Sequence, residues 1–367
     1  MARMASPLAS ARSALRRSFA AGVLAAWAGA ASACLVCVEL PEDTLTDRVW
    51  AAEAIALARP DPDNPFVYAP VKVLAGASDD PIPFLVDSSS RRRFAADPAL
   101  AALVLRAPGG DWQLAGQGGP EIGRFVSEAL AQETAWSDEA DDPDRAAAFR
   151  ALHAHDNAML RKLALTEMAR MPYAQVRQTE VALPVGWLAD RLVDPAWYGW
   201  QPVLVTLLGL HPDPAARDLV RARALTVRPE DRAPWLVALI EADGAAGIAR
   251  MLGDSRDDAA ARAAVRALVT HADPGNERAP ALAAALVRLA SDHPGLTAAA
   301  VPGLAALGDF SLAPRVADLL ASGAVTDPAE AFALKSYLAQ ARAGQAPRNA
   351  AMVAAPSRFG PADGSLQ

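Results

Sequence analysis

From about residue 144 onward the chain is cut by prolines into short stretches, among them those ending at Pro172, Pro184, Pro214, Pro229, Pro280 and Pro328, and alanine, leucine and arginine dominate between them. Within these stretches apolar residues recur at helical spacing. Leu160, Leu163, Ala164 and Met168 form one stripe, Leu219, Val220 and Ala224 a second, and Val265, Leu268 and Val269 a third. A helix this short and this rich in alanine buries little surface, so one or two would not hold together alone. Several stacked side by side share a continuous core. The stretches also resemble each other. Segments 211–222 and 255–267 both run from an acidic cap (Asp213, Asp257) through small residues to an arginine (Arg217, Arg262) and an apolar stripe, and Asp156-Asn157 opens a looser third copy. Asp213 and Asp257 stand about 44 residues apart, within the period of helix-pair repeats.

These segments resemble the HEAT-repeat (armadillo-like) family, which implies paired helices stacked into an α-solenoid over residues 145–343. Asp327, Pro328 and Glu330 supply cap, first-turn proline and capping glutamate for a last helix ending near Ala343. The remaining 344–367 hold Pro, Gly and Ser without a sustained period and are expected to be a disordered tail.

Strand character is confined to the region before. β-branched or aromatic runs at 54–57, 66–74, 81–86, 102–106 and 112–115 are bounded by Pro, Gly, Asn and Asp. Pro70 inside the second run predicts an edge or a bulge, and 108–111 predict a hairpin turn. Five short strands and a closing helix at 121–132 suit a small β-barrel occupying 34–135. An acidic, proline-containing run at 136–144 reads as a linker or as an acidic helix start. The cysteine pair Cys34 and Cys37, followed by 54–57, 68–76 and 102–106, resembles the netrin-like domain of tissue metalloproteinase inhibitors. That resemblance implies an OB-type barrel, and a terminal cysteine whose amine and carbonyl chelate a protease zinc. The chain departs from the family in carrying Cys-x-x-Cys for Cys-x-Cys and in lacking its later cysteines. The expected fold class is therefore multidomain α and β: an OB/netrin-like barrel followed by an all-α HEAT-like superhelix.

The leader, 1–33, has the order of a secretory signal peptide. Arg3, Arg12, Arg16 and Arg17 make a basic start, 18–29 an apolar core, and Ala31, Ser32 and Ala33 a small-residue cleavage site. The absence of charge from Phe19 to Val38 leaves an uncleaved N-terminal anchor as the alternative. Either one predicts an extracytoplasmic location, periplasmic or secreted. Residues 31–34 also resemble the lipobox of bacterial lipoproteins, although Ala31 stands where that family usually has leucine. Cys34 and Cys37, the two cysteines of the chain, are therefore expected either to form a local disulfide or to leave Cys34 lipidated and Cys37 a free thiol. A thioredoxin-like redox site needs a strand before the first cysteine and a helix start beneath it, and none precedes Cys34.

Composition narrows the function. The formal charge is −7, and removing the leader's arginines takes it to about −11, which argues against tracking nucleic-acid phosphates. Gly116, Gly118 and Gly119 lack the further glycine of a dinucleotide fingerprint, since Glu121 stands there, and no Walker Lys-Ser/Thr follows. They read as a turn. Ser88 to Arg93 reads as a solvated loop, and Trp112 and Trp136 as packing residues. His153 and His155 lie two apart and, on a helix, would point to different faces. His211, His271 and His293 sit by prolines or acids, where caps and solvated turns are usual. No His-Glu-x-x-His or Gly-x-Ser-x-Gly occurs. No catalytic residue, cofactor or metal site is expected. The sequence points to an exported, non-enzymatic protein- or peptide-binding scaffold, with membrane association only through lipid at Cys34 or an uncleaved anchor. An inhibitor acting through Cys34 on an extracytoplasmic metalloenzyme is the alternative, and an undetected hydrolase the second.

Overall fold

The computed structural model describes residues 43–77, 81–138 and 142–353, the stretch 344–353 as backbone only. The leader, Cys34, Cys37 and the tail 354–367 lie outside the described residues. The chain divides into two compact units, Met1–Ala216 and Arg217–Gln367.

The first unit starts with α1 (Leu45–Ala51), whose Thr44 hydroxyl and Asp47 carboxylate form a reciprocal capping box. The strands follow: β1 (Ala54–Pro60), β2 (Val67–Ala75), β3 (Ile82–Leu85), then helix α2 (Ser88–Ala96), β4 (Ala101–Arg106) and β5 (Trp112–Gly118). They pair antiparallel in the order β3-β2-β1-β4-β5. The sheet is curled into a half-barrel whose ends, β3 and β5, share no ladder, so the closed cylinder suggested by the strand count does not form. The central strands β1 and β4 are buried on both faces and accordingly read as unbroken apolar runs. One face packs Ala56, Val104 and Trp112 against Tyr68 and Phe94. On the other lies α3 (Pro120–Ala131), where a side chain at Gly123 would meet Leu57 Cδ1 at 2.9 Å. The expected irregularity in β2 is a bulge beside Pro70: Ala58 pairs with Pro70 and Leu57 with Lys72, skipping Val71. Gly109, at φ +64°, turns the β4–β5 hairpin.

Helices α4 (Glu133–Asp138) and α5 (Pro143–Leu152) take in the two ends of the acidic run 136–144. Asp142 caps α5 by accepting from the Asp144 and Arg145 amides, so the end of that run is a helix start. Trp136 is buried against Phe149, with ring centroids 5.7 Å apart, and Phe125 of α3 meets the same ring. The sheet's own helices thus share a core with α5, and the division into compact units falls well past the acidic run. The unit continues with α6 (Ala158–Arg170), α7 (Tyr173–Val176), α8 (Val185–Leu192), a 3-10 segment Pro195–Trp200 and α9 (Gln201–Leu210). Segment 88–93 is helical rather than a loop, because Asp87 accepts from the Ser89 and Ser90 amides and nucleates α2. Gly118 and Gly119 complete β5 and cap α3. A side chain at Gly118 would strike Ile122 Cδ1 and meet the Asn157 amide at 2.6 Å, so this glycine serves close packing.

The division falls within α10 (Pro214–Arg223). The second unit contains α11 (Arg232–Asp243), α12 (Ala245–Asp254), α13 (Asp258–Thr270), α14 (Ala279–Asp292), α15 (Thr297–Ala306), α16 (Ala313–Ala321) and α17 (Pro328–Val353), the last running beyond Ala343. Helices α11, α13, α15 and α17 pack in succession, as do α12 and α14 beside them. Gly303 lets α15 approach closely: a side chain there would meet Val269 Cγ2 at 2.9 Å and Leu286 Cδ1 at 3.0 Å.

Candidate functional site

Helix α6 begins at Asn157, whose side chain accepts from the Met159 and Leu160 amides and donates to Glu121 at 2.7 Å. Leu160 and Leu163 to Met168 are buried, while Lys162 is exposed and Arg161 half-buried. Two later segments come back to that polar side. Leu188, fully buried, holds α8 in place and leaves Trp187 and Arg191 half-exposed. Asp194 accepts from the Ala196 amide and starts the 3-10 segment that presents Trp197, Tyr198 and Trp200. The Trp200 indole donates to Thr166 Oγ1 at 2.9 Å, pinning this segment to α6.

Three indoles and three cations interleave here. Trp197 stands edge-on to both Trp187 and Trp200, with centroids 5.5 and 5.7 Å away. The Lys162 ammonium lies 4.1 Å from the Trp200 ring centre and 5.7 Å from that of Trp197. Arg161 and Arg191 lie over Trp187 at 5.1 and 5.3 Å, and Arg191 reaches Trp197 at 5.9 Å. Arg161 donates to the His155 carbonyl, while its Nε is buried with no hydrogen-bond partner. Arg191 pairs with Asp194 at 3.3 Å. Beside the cluster Tyr198 is 55% and Val193 68% exposed. Tryptophan, tyrosine and arginine are the side chains that dominate binding energy at protein interfaces, being large, stiff and able to donate hydrogen bonds. Contacts between cation and ring favour this one arrangement of the cluster.

His211, His271 and His293 stand at the C-terminal caps of α9, α13 and α14, as their places beside helix ends led one to expect. His153 caps α5 instead of lying within it, and both it and His271 are buried. His153 Nε2 accepts from the Ala182 amide and Nδ1 faces the Arg150 carbonyl, which fixes the neutral tautomer; burial lowers its pKa. His211 accepts from the Asp213 amide and faces the Leu183 carbonyl. His155 Nδ1 accepts from the Asn157 amide. His271 bonds the Val237 carbonyl and lies 3.6 Å from Glu241. His293 bridges Asp258 at 2.7 Å and the Ser255 carbonyl, and the bond to Asp258 raises its pKa. These rings tie loops to helices, and four of the five bond a backbone carbonyl. Trp112 and Trp136 are both buried. Among the described residues no three His, Cys, Asp or Glu side chains converge on one point, and no helix is long and apolar enough to cross a membrane.

Motif searches for catalysis pass over the tryptophan cluster. Its signal in the sequence is density, since Trp187, Trp197 and Trp200 are three of only eight tryptophans in 367 residues. Comparison with protein-family models, with curated proteins and with solved structures returns no match to this chain.

Proposed function

We propose that this chain is an exported, non-enzymatic protein-binding scaffold, and that the cation–tryptophan surface of α6, α8 and the 3-10 segment is its docking site. The observation that carries the reading is the clustering of Trp187, Trp197 and Trp200 with Arg161, Lys162 and Arg191 beside exposed Tyr198 and Val193. Such a set costs little conformational entropy on binding because the rings are already held. The engagement of the histidine rings by backbone groups supports a role other than catalysis. Alternate helices packing in two rows support the HEAT-like reading of the second unit. The curled five-stranded sheet supports the OB/netrin-like reading of the first. Export rests on the leader 1–33.

The test is crosslinking in living cells, with the wild type compared against Trp187→Ala/Trp197→Ala, which leaves the anchoring Trp200 in place. One protein recovered reproducibly by the wild type and lost from the variant is the expected result. No reproducible partner, or turnover of a generic ester, peptide or glycan substrate that disappears on mutating a discrete pocket, would overturn the proposal.

A further inference from the structure

We infer that the tryptophan cluster recognises an acidic, partly apolar peptide segment of its partner, binding carboxylates through Arg161, Lys162 and Arg191. This rests on the protein-binding reading above and specifies its chemistry. Three cations meet at the surface, and Asp194 is the only carboxylate that pairs with any of them among the described residues. The local excess of positive charge lies on a chain whose formal charge is −7, so the patch stands out against an acidic background.

The disposition of the rings selects among anionic partners. Trp187 has two guanidinium groups over it, Trp197 has Arg191 and Lys162, and Trp200 has Lys162 and the edge of Trp197. A sugar or a nucleobase stacks on an open ring face, and each of these rings already has a cation over it. A guanidinium lying over a ring keeps its N–H groups, which fit a carboxylate in two-point contact. A charged lipid surface is held by a broad basic face, with each Lys or Arg contributing on the order of 1 kcal/mol; three cations on an acidic protein fall short of that. Exposed Val193 and the Tyr198 ring flank the cations and suit an apolar residue between carboxylates.

The experiment uses the full mature chain and a fluorescent peptide of about twelve residues repeating Glu-Glu-Leu, followed by anisotropy. Saturable binding that weakens with added salt is expected, with no binding of the peptide in which Gln replaces Glu. Lys162→Glu/Arg191→Glu should lose affinity at least tenfold and gain binding of a Lys-Lys-Leu peptide, which shows that the variant is folded. Lys162→Gln, at an exposed position, should weaken the acidic peptide without gaining the basic one. Equal binding of acidic and Gln peptides, or an unchanged affinity in the reversed variant, would overturn the inference. So would binding to phosphatidylserine vesicles or polygalacturonate in place of the peptide. If crosslinking recovers a partner through Trp187 and Trp197 while acidic peptides fail to bind, protein binding stands and the acidic chemistry falls.

Discussion

Removing the Arg145 side chain should damage the first unit far more than its single ion pair suggests. Arg145 bonds Glu167 at 2.9 Å, with the carboxylate side chain only 3% exposed and the guanidinium 14%. It also donates to the Trp136 carbonyl and lies 5.2 Å from the Trp50 ring centre. The second carboxylate oxygen of Glu167 is buried without a partner. Arg145→Ala therefore strands a buried charge, a change that costs about 3–5 kcal/mol. At about 2–4 °C per kcal/mol for a unit of this size, the midpoint should fall by roughly 6–20 °C. Replacing both partners by apolar residues, Arg145→Met/Glu167→Leu, removes the desolvated charge as well, and only the lost bond to Trp136 remains, about 1 kcal/mol. Tryptophan fluorescence during urea unfolding reads this unit selectively. Trp50, Trp112, Trp136, Trp187, Trp197 and Trp200 belong to it, and Trp235 alone among the described tryptophans belongs to the other. A single variant within about 1 kcal/mol of wild type, or a double variant as weak as the single one, would refute the reasoning.

Three further outcomes rest on other residues. The pKa of His293 is raised above the ordinary 6.5 by its bond to Asp258. The stability it adds to the second unit is complete below pH 6.5 and disappears as pH rises through the higher folded value. Thermal melts between pH 6 and 9 should show this decline, and Asp258→Asn should flatten it. Gly118→Ala places a methyl group against Ile122 and Asn157 and should cost about 1–3 kcal/mol in urea unfolding, whereas Gly186→Ala, with open space around it, should be nearly neutral. The intact mass of the mature protein should start at Cys34 and show either a two-proton deficit for a disulfide to Cys37 or the added mass of a lipid. An uncleaved leader would refute that expectation.

The sheet was legible because its physics is local. Unbroken apolar runs at 54–57 and 102–106 mark strands buried on both faces, and Pro70 marks the bulge. Helices were legible for the same reason: the stripes at 160–168 and 265–269 each lie within a single helix. Helix α2 was missed because Asp87 as a cap outweighs the loop character of three serines and three arginines. The helix-end placement of His211, His271 and His293 was legible from the neighbouring prolines and acids, but the burial of His153 and His271 was not, because burial depends on what packs over a residue. Of the candidate surface only the density of tryptophans was legible; its cations were not, because Arg161 and Lys162 are separated from Trp187 and Trp200 by more than a full helix.

Local spacing by itself determined where the strands lie and how they are bounded, that the later chain is helical, and that the chain carries a leader-like start. Tertiary packing alone decided that the sheet stays an open half-barrel, that α5 shares a core with the sheet's helices, and that three tryptophans meet three cations. The division has a physical cause. Periodicity and capping act over a few residues and are written in order along the chain. Closure, burial and the meeting of remote side chains depend on which surfaces exclude water together, and that is settled only when the elements dock.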